Sequence, residues 1–302
     1  TNYFNETHEE VRRNIRRFVE RNIQPHINTW EEAGTFPREI YKLAGDAGIL
    51  GIGYPEEFGG NSEGDYFMSL VVTEELLRAG SGGFFSSLMS HGIALPPIAK
   101  WGSPEMKARI VPEVLSGDKI IALAVTEPGG GSDVANLKTR AVDCGDHYKV
   151  SGSKTYITSG IRADYYTVAV RTGGDGYGGI SMLLIEKGTP GFTTGQPLKK
   201  MGWWCSDTAE LFFDNVVVPK SNLIGIENGG FMMIMTNFEA ERLGLACYSN
   251  TLSELAFNEA LAYAKNRSTF GKPLSKHQVI RHKLADMATQ LEASREFTYR
   301  VA

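Results

Sequence analysis

The spacing of apolar residues changes twice along the chain, and this limits the architecture more than any other feature. Up to about residue 118 the pattern is helical. "THEEVRRNIRRFVE" carries Val11, Ile15 and Phe18 on one stripe behind a capping box of Thr7 and Glu10. "SPEMKARIVPEVL" offers Ser103 as N-cap, Pro104 in the first turn and Glu105 at the positive end of the helix dipole. From Lys119 the texture is that of strands. "KIIALAV", "HYKVSGSKTYIT", "DYYTVAVRT", "GISMLLIEK" and "LFFDNVVV" are short β-branched or aromatic runs separated by Gly, Asp and Pro. No helical pattern lies between them, so a small barrel or sandwich is expected rather than a βαβ sheet. From Gly229 the helical period returns and, apart from a break at "STFGKPLSK", runs to Ala302. The expected class is α+β: an N-terminal helical domain over 1–118, a middle β-barrel-like domain over 119–225 and a C-terminal helical domain over 226–302. The last helix reaches Ala302 without a cap, and its face of Val279, Leu284, Met287 and Leu291 needs partners. A truncated helical bundle, completed by further chain or by other subunits, is the expectation.

Composition narrows the function classes. With 31 basic and 35 acidic residues the net charge is −4, which gives no electrostatic case for nucleic acid. The densest basic cluster, "VRRNIRRF", reads as a solvated helix face. No apolar run approaches membrane-spanning length and no secretory leader is evident, so no membrane role is expected. The first residue is Thr rather than Met, which suggests that a segment has been removed. Cys144, Cys205 and Cys247 are odd in number and widely spaced, an argument against a disulfide scaffold or a metal site and for a reducing compartment.

"TEPGGGSD", Thr126 to Asp133, directly follows an apolar strand. No Gly-Lys-Ser/Thr follows, so it is not a Walker loop, and no βαβ unit surrounds it, so it is not a dinucleotide fingerprint. It is either a plain strand-ending turn or a seat for a flat polar ligand, held by backbone N–H groups and by the Thr126 and Ser132 hydroxyls. Glycines there let a ring system approach where a Cβ would collide. "SGSKTYITSG" follows about 20 residues later, and its Tyr156 and Thr158 supply an aromatic wall and a hydroxyl.

"ALAVTEPGGGSDVANLKTRA" and "KTYITSG" resemble the two flavin-binding segments of the acyl-CoA dehydrogenase family, and "MGWWCSDTAELFFDNVVVP", "NFEAERLGLA" and "NRSTFGKPLSKHQVIRHKLADM" resemble further motifs of it, in family order along the whole chain. The resemblance implies FAD. Leu123, Val125, Thr126, Gly131 and Ser132 would cradle the isoalloxazine ring. Tyr156, Ile157 and Thr158 would cover its other face; many members carry Trp at the place of Tyr156. Asn136 stands where a small residue is usual. Arg267 would meet the pyrophosphate of a neighbouring subunit's FAD, Phe270 would pack near the adenosine, and His277 and Gln278 would hydrogen-bond the cofactor. That arrangement implies an oligomer, a homotetramer built as a dimer of dimers.

The implied reaction removes an α-proton and a β-hydride from an acyl-CoA thioester, giving the trans-2-enoyl-CoA, with electrons passed to an electron-transfer flavoprotein. Most members carry the catalytic Glu late in the C-terminal bundle; isovaleryl-CoA and long-chain enzymes carry it on the first bundle helix, before an arginine. "FEAERLGLA" matches the second arrangement. Phe231, Ile234, Met235, Phe238, Glu241, Arg242 and Leu245 share one helical stripe. A carboxylate on such a face is poorly solvated, which raises its pKa. The resemblance thus implies Glu241 as base and Arg242 as a substrate-binding residue that orients Glu241 or a thioester-side group. It places Glu239 toward the CoA adenine and Ser132 on the CoA arm as well. Trp203 and Trp204 receive no role. A branched or medium- to long-chain acyl group is expected, in the cytoplasm of a bacterium rather than a mitochondrial matrix. An oxidase or monooxygenase on the same scaffold, and a non-catalytic subunit of a larger dehydrogenase, stay open as alternatives.

Overall fold

The computed structural model describes residues 3–61 and 65–302. They form two units, one of residues 3–25, 65–82 and 241–302, the other of residues 26–61 and 83–240. Eight helices come first: α1 Glu6–Asn22, α2 Ile27–Ala33, α3 Glu39–Asp46, α4 Tyr66–Leu77, α5 Gly82–Leu88, α6 His91–Ala94, α7 Pro96–Trp101 and α8 Pro104–Leu115. The strands follow as β1 Ile121–Ala124, β2 Arg140–Asp143, β3 His147–Thr158, β4 Tyr165–Arg171, β5 Ile180–Glu186, β6 Phe192–Thr194, β7 Thr208–Pro219 and β8 Leu223–Ile224. Helix α9, Gly230–Asn266, then leads through β9 Ser268–Thr269 and β10 Lys272–Pro273 to α10, Gln278–Val301. No described helix is long and apolar enough to cross a membrane.

The expected cap of α8 is present: Met106 N–H donates to Ser103 Oγ at 3.2 Å, with Pro104 in the first turn. The expected cap of α1 is displaced. Asn5, not Thr7, is the N-cap, its Oδ1 accepting from His8 N–H at 3.0 Å while His8 Nδ1 accepts from Asn5 N–H at 3.0 Å. His8 wins because its Nε2 also reaches Asp65 Oδ1 at 2.9 Å, a bond that Glu10 at the helix surface cannot make. The basic face of α1 also departs from the solvated reading. Arg12 and Arg16 converge on the fully buried Glu75, whose carboxylate accepts from Arg16 Nε and Nη2, both at 2.8 Å. Arg78 Nε donates to the same group at 3.1 Å. These ionic bonds hold the Glu75 carboxylate below its ordinary pKa against the opposing effect of burial.

The second unit centres on β4, whose seven residues are all buried. One of its edges pairs along its whole length with β5, antiparallel; the other is shared in succession by β1, parallel, and then β2. The sheet path is β6-β7-β3-β2-β4-β5-β8 and does not close. The middle β domain is therefore an open, mixed sheet rather than a closed barrel, with end strands three and two residues long. The sheet nevertheless curls: Tyr166 of β4 meets Phe192 of β6 edge-on at 4.8 Å, although three strands separate them in the path. Ile98, Ile110, Val111 and Val114 of α7 and α8 pack with Tyr165, Ala169, Met182 and Leu184 on one face. Fully burying one such aliphatic side chain is worth about 1.5–3 kcal/mol, so this layer fixes β4 and β5 firmly. At the end of β4, Arg171 is buried with four main-chain carbonyls as acceptors, those of Leu137, Ala135, Gly174 and Gly176, at 2.9, 2.6, 2.5 and 3.1 Å.

Candidate functional site

Strand β1 delivers the first glycine-rich segment. Leu123 is half-buried and Val125 buried, both rooted beside β4. The chain then turns back on itself, Glu127 and Gly130 exchanging two backbone hydrogen bonds of 3.1 Å, and Gly129 to Asp133 are exposed. A Cβ on Gly131 would stand 3.3 Å from the Thr126 methyl, so glycine keeps the backbone flush with that threonine. Ser132 is exposed at the rim. Asn136, the unusual residue, sits in a short 3-10 turn and donates to Asp133 Oδ2 at 2.5 Å.

The second segment is the far half of β3. Its pairing with β7 slips between Lys154 and Ile157, and inside the slip Tyr156 takes a φ of 58°. That left-handed conformation costs a non-glycine residue about 1–3 kcal/mol. It turns the Tyr156 ring outward, 70% exposed, while Ile157 is buried beneath and Thr158 is half-buried in register with Thr208. Thr155 N–H donates to Thr126 C=O at 2.9 Å, which joins the two segments directly. Bare glycine backbone, the exposed Ser132 hydroxyl, the half-buried Thr126 and Thr158 hydroxyls and an outward aromatic ring in one unit suit a flat, polar-edged ring system such as the isoalloxazine of FAD. Beneath them lies a pair that the sequence reading did not single out. Lys154, 0% exposed, donates to Glu127 Oε1 at 2.9 Å and to Val125 C=O at 3.0 Å. The signal was available: Tyr148, Val150 and Lys154 alternate on the inward face of β3, and a lone lysine there demands a counter-charge.

On α9, Met233 and Ile234 are buried, and Phe231, Met235 and Phe238 pack beside them. Glu239 is exposed. The apolar stripe does not continue as expected, because Arg242 is exposed and so is Leu245. Glu241 itself is partly buried, and its Oε2 has no hydrogen-bond partner among the described residues. Burial raises its pKa, with the Arg242 charge pulling the other way.

Arg267, Phe270, His277 and Gln278 gather around the β9–β10 hairpin, in the same unit as Glu241. Phe270 and Gly271 make its turn with φ of 50° and 74°, the left-handed pair that matches strand twist, which leaves the Phe270 ring 96% exposed. His277 Nε2 lies 3.2 Å from Thr269 Oγ1, and its ring stands 6.3 Å from that of Phe270. Arg267 and Gln278 are exposed. Trp203 and Trp204 lie in the turn before β7, partly exposed. Cys144, Cys205 and Cys247 form no disulfide, and no cluster suited to a metal ion occurs, among the described residues.

Three family descriptions match the chain in succession: "Acyl-CoA dehydrogenase, N-terminal domain" over residues 5–118, "middle domain" over 122–216 and "C-terminal domain" over 228–302. Mitochondrial isovaleryl-CoA dehydrogenase of Oryza sativa is 37% identical over 99% of this chain and 74% of its own. Mitochondrial long-chain specific acyl-CoA dehydrogenase of Sus scrofa is 38% identical over 97% and 69%. The crystal structure of acyl-CoA dehydrogenase from Geobacillus kaustophilus superposes with a TM-score of 0.95 at 40% identity, covering 99% of this chain and 79% of that one. Helices, then a sheet, then helices, matched throughout by one family, make this chain a member of the acyl-CoA dehydrogenases, oxidoreductases whose cofactor is FAD.

Proposed function

We propose that this protein dehydrogenates a branched or medium- to long-chain acyl-CoA thioester to the trans-2-enoyl-CoA, with Glu241 as the base. The observation that carries this reading is the Glu241 carboxylate, partly buried, with one oxygen lacking a partner and its pKa raised by burial. A carboxylate in ordinary water is too weak a base for a thioester α-proton; desolvation strengthens it. Glu241 takes the α-proton on Oε2, and the electron pair left behind forms the new double bond as the β-hydrogen departs with its own pair. FAD, when bound, accepts that β-hydrogen as hydride. Arg242 limits how far the Glu241 pKa rises, and would orient Glu241 or a thioester-side group of the substrate. Leu123, Val125, Thr126, Gly131 and Ser132 would hold one side of the flavin and Tyr156, Ile157 and Thr158 the other, and Ser132 and Glu239 would also meet the CoA arm.

The acyl preference is supported by the isovaleryl and long-chain relatives and by the place of Glu241 on the first bundle helix. Electrons would leave to an electron-transfer flavoprotein. A homotetramer is supported by the bare Phe270 ring and exposed Arg267, which suit a neighbour's FAD, and by Val279, Met287 and Val301 standing exposed along α10. The direct test is Glu241→Gln, assayed by anaerobic flavin bleaching with a panel of acyl-CoAs. Bleaching should slow by about 10²–10⁴-fold with FAD content unchanged. Near-wild-type bleaching would refute the role of Glu241.

A further inference from the structure

Under the exposed loop lies a charge pair with no part in the proton and hydride chemistry. Lys154 and Thr155 are consecutive on β3 and grip three consecutive residues of the first segment: Lys154 Nζ donates to Val125 C=O and Glu127 Oε1, and Thr155 N–H donates to Thr126 C=O. Glu127 uses both oxygens: Oε1 also accepts from Thr139 N–H at 2.8 Å, and Oε2 accepts from Lys138 N–H at 2.6 Å. One carboxylate therefore closes the base of the loop spanning Glu127 to Thr139, and one ammonium ties that base to β3. The next residue, Tyr156, is the one that leaves the strand conformation and turns its ring outward.

Burying an ammonium costs several kcal/mol unless it is paired and hydrogen-bonded, so a mere structural filler at this position would be apolar. The two groups titrate as an ion pair. Burial pulls Lys154 down to about 8 while Glu127 opposes that fall, and the Lys154 charge holds Glu127 below its ordinary range. We propose that the Lys154–Glu127 pair is a positioning device that fixes the spacing between the Thr126 and Tyr156 segments before FAD arrives, so that the cofactor meets a slot already formed. Lys154 is then a positioning residue, not a catalytic one. The inference rests on the reading of these two segments as the flavin site.

The test uses the full chain with FAD bound and after FAD removal. In the wild type, amide exchange at Thr155, Lys138 and Thr139 should be slow without FAD and change less than about tenfold on FAD addition; exchange at loop rates until FAD is added would overturn the inference. Lys154→Met/Glu127→Gln removes both charges together and so strands neither. It should keep the wild-type far-ultraviolet circular dichroism, bind FAD at least tenfold more weakly, and alter the visible circular dichroism of the bound flavin, which loss of global stability alone would leave unchanged. A folded double variant with wild-type FAD affinity and an unaltered visible spectrum would overturn it. Should the double variant not fold, the exchange measurement decides. Tyr156→Ala separates the two claims: a changed flavin spectrum there with a silent double variant defeats only the positioning role, whereas a silent Tyr156→Ala defeats the flavin-site reading and this inference with it.

Discussion

Glu241 and Arg242 are neighbours in sequence with opposite effects on one proton. Burial raises the Glu241 pKa, and the Arg242 charge lowers it. If Glu241 is the base proposed above it must be ionised to act, so kcat/KM falls as pH falls through the raised pKa, and the acid limb should lie above the ordinary carboxylate range near pH 4.5. Replacing Arg242 by Gln removes the opposing charge, and the acid limb should move to higher pH, which a pH series of flavin bleaching rates will register; a limb that stays in place would separate Arg242 from Glu241. The proposal for Glu241 comes from the resemblance, since a carboxylate on an apolar helical stripe is by itself more commonly a salt-bridging residue. Lys154 and Glu127 were not singled out, because their partnership spans 27 residues and only the β1–β4–β2–β3 pairing brings them together. His91 also answers to pH. Its ring is buried, Nε2 lying 3.0 Å from Leu50 C=O, and burial pushes its pKa down to about 4. Below pH 6.5 an unfolded chain takes up a proton that the folded ring refuses, so its contribution is complete above pH 6.5 and is lost as pH falls toward 4. The loss should amount to roughly 3 kcal/mol at most, at 1.36 kcal/mol per pKa unit, and His91→Gln should flatten that part of the urea-midpoint profile.

At the level of elements, what is encoded locally was readable and what depends on distant pairing was not. The run "HYKVSGSKTYIT" coincides with β3, and Ser103 caps α8, because both signals lie within a few residues. The α1 cap was misplaced by two residues because Asp65, 57 positions away, recruits His8. Asn5→Ala should therefore cost about 1 kcal/mol and speed exchange at the His8 amide, whereas Thr7→Ala should change neither appreciably. The middle domain is a curled β sheet that does not close into a barrel, which was not legible because strand texture reveals strands but not whether the first and last of them pair. The break at "STFGKPLSK" turned out to be a hairpin because Phe270 accepts a conformation that its side chain disfavours.

For the whole molecule, the helical–sheet–helical order was legible from periodicity, and family membership from motifs spread along its length. If FAD binds the folded chain alone, removing it should lower the thermal midpoint, and adding FAD at 100 times its Kd should restore about 2.7 kcal/mol. A midpoint indifferent to FAD would contradict a bound cofactor. Ionic strength acts on the molecule unevenly. Exposed pairs such as Arg109–Glu186 and Lys42–Asp118 are screened by salt within a Debye length of about 10 Å at 0.1 M. Arg171 has only neutral carbonyls as acceptors, two of them at Ala135 and Leu137 just downstream of the glycine loop, so no counter-charge is there to be screened. Added potassium chloride should thus weaken the exposed pairs and leave amide exchange beside the buried Arg171 anchor unchanged, which a salt series of exchange rates will register.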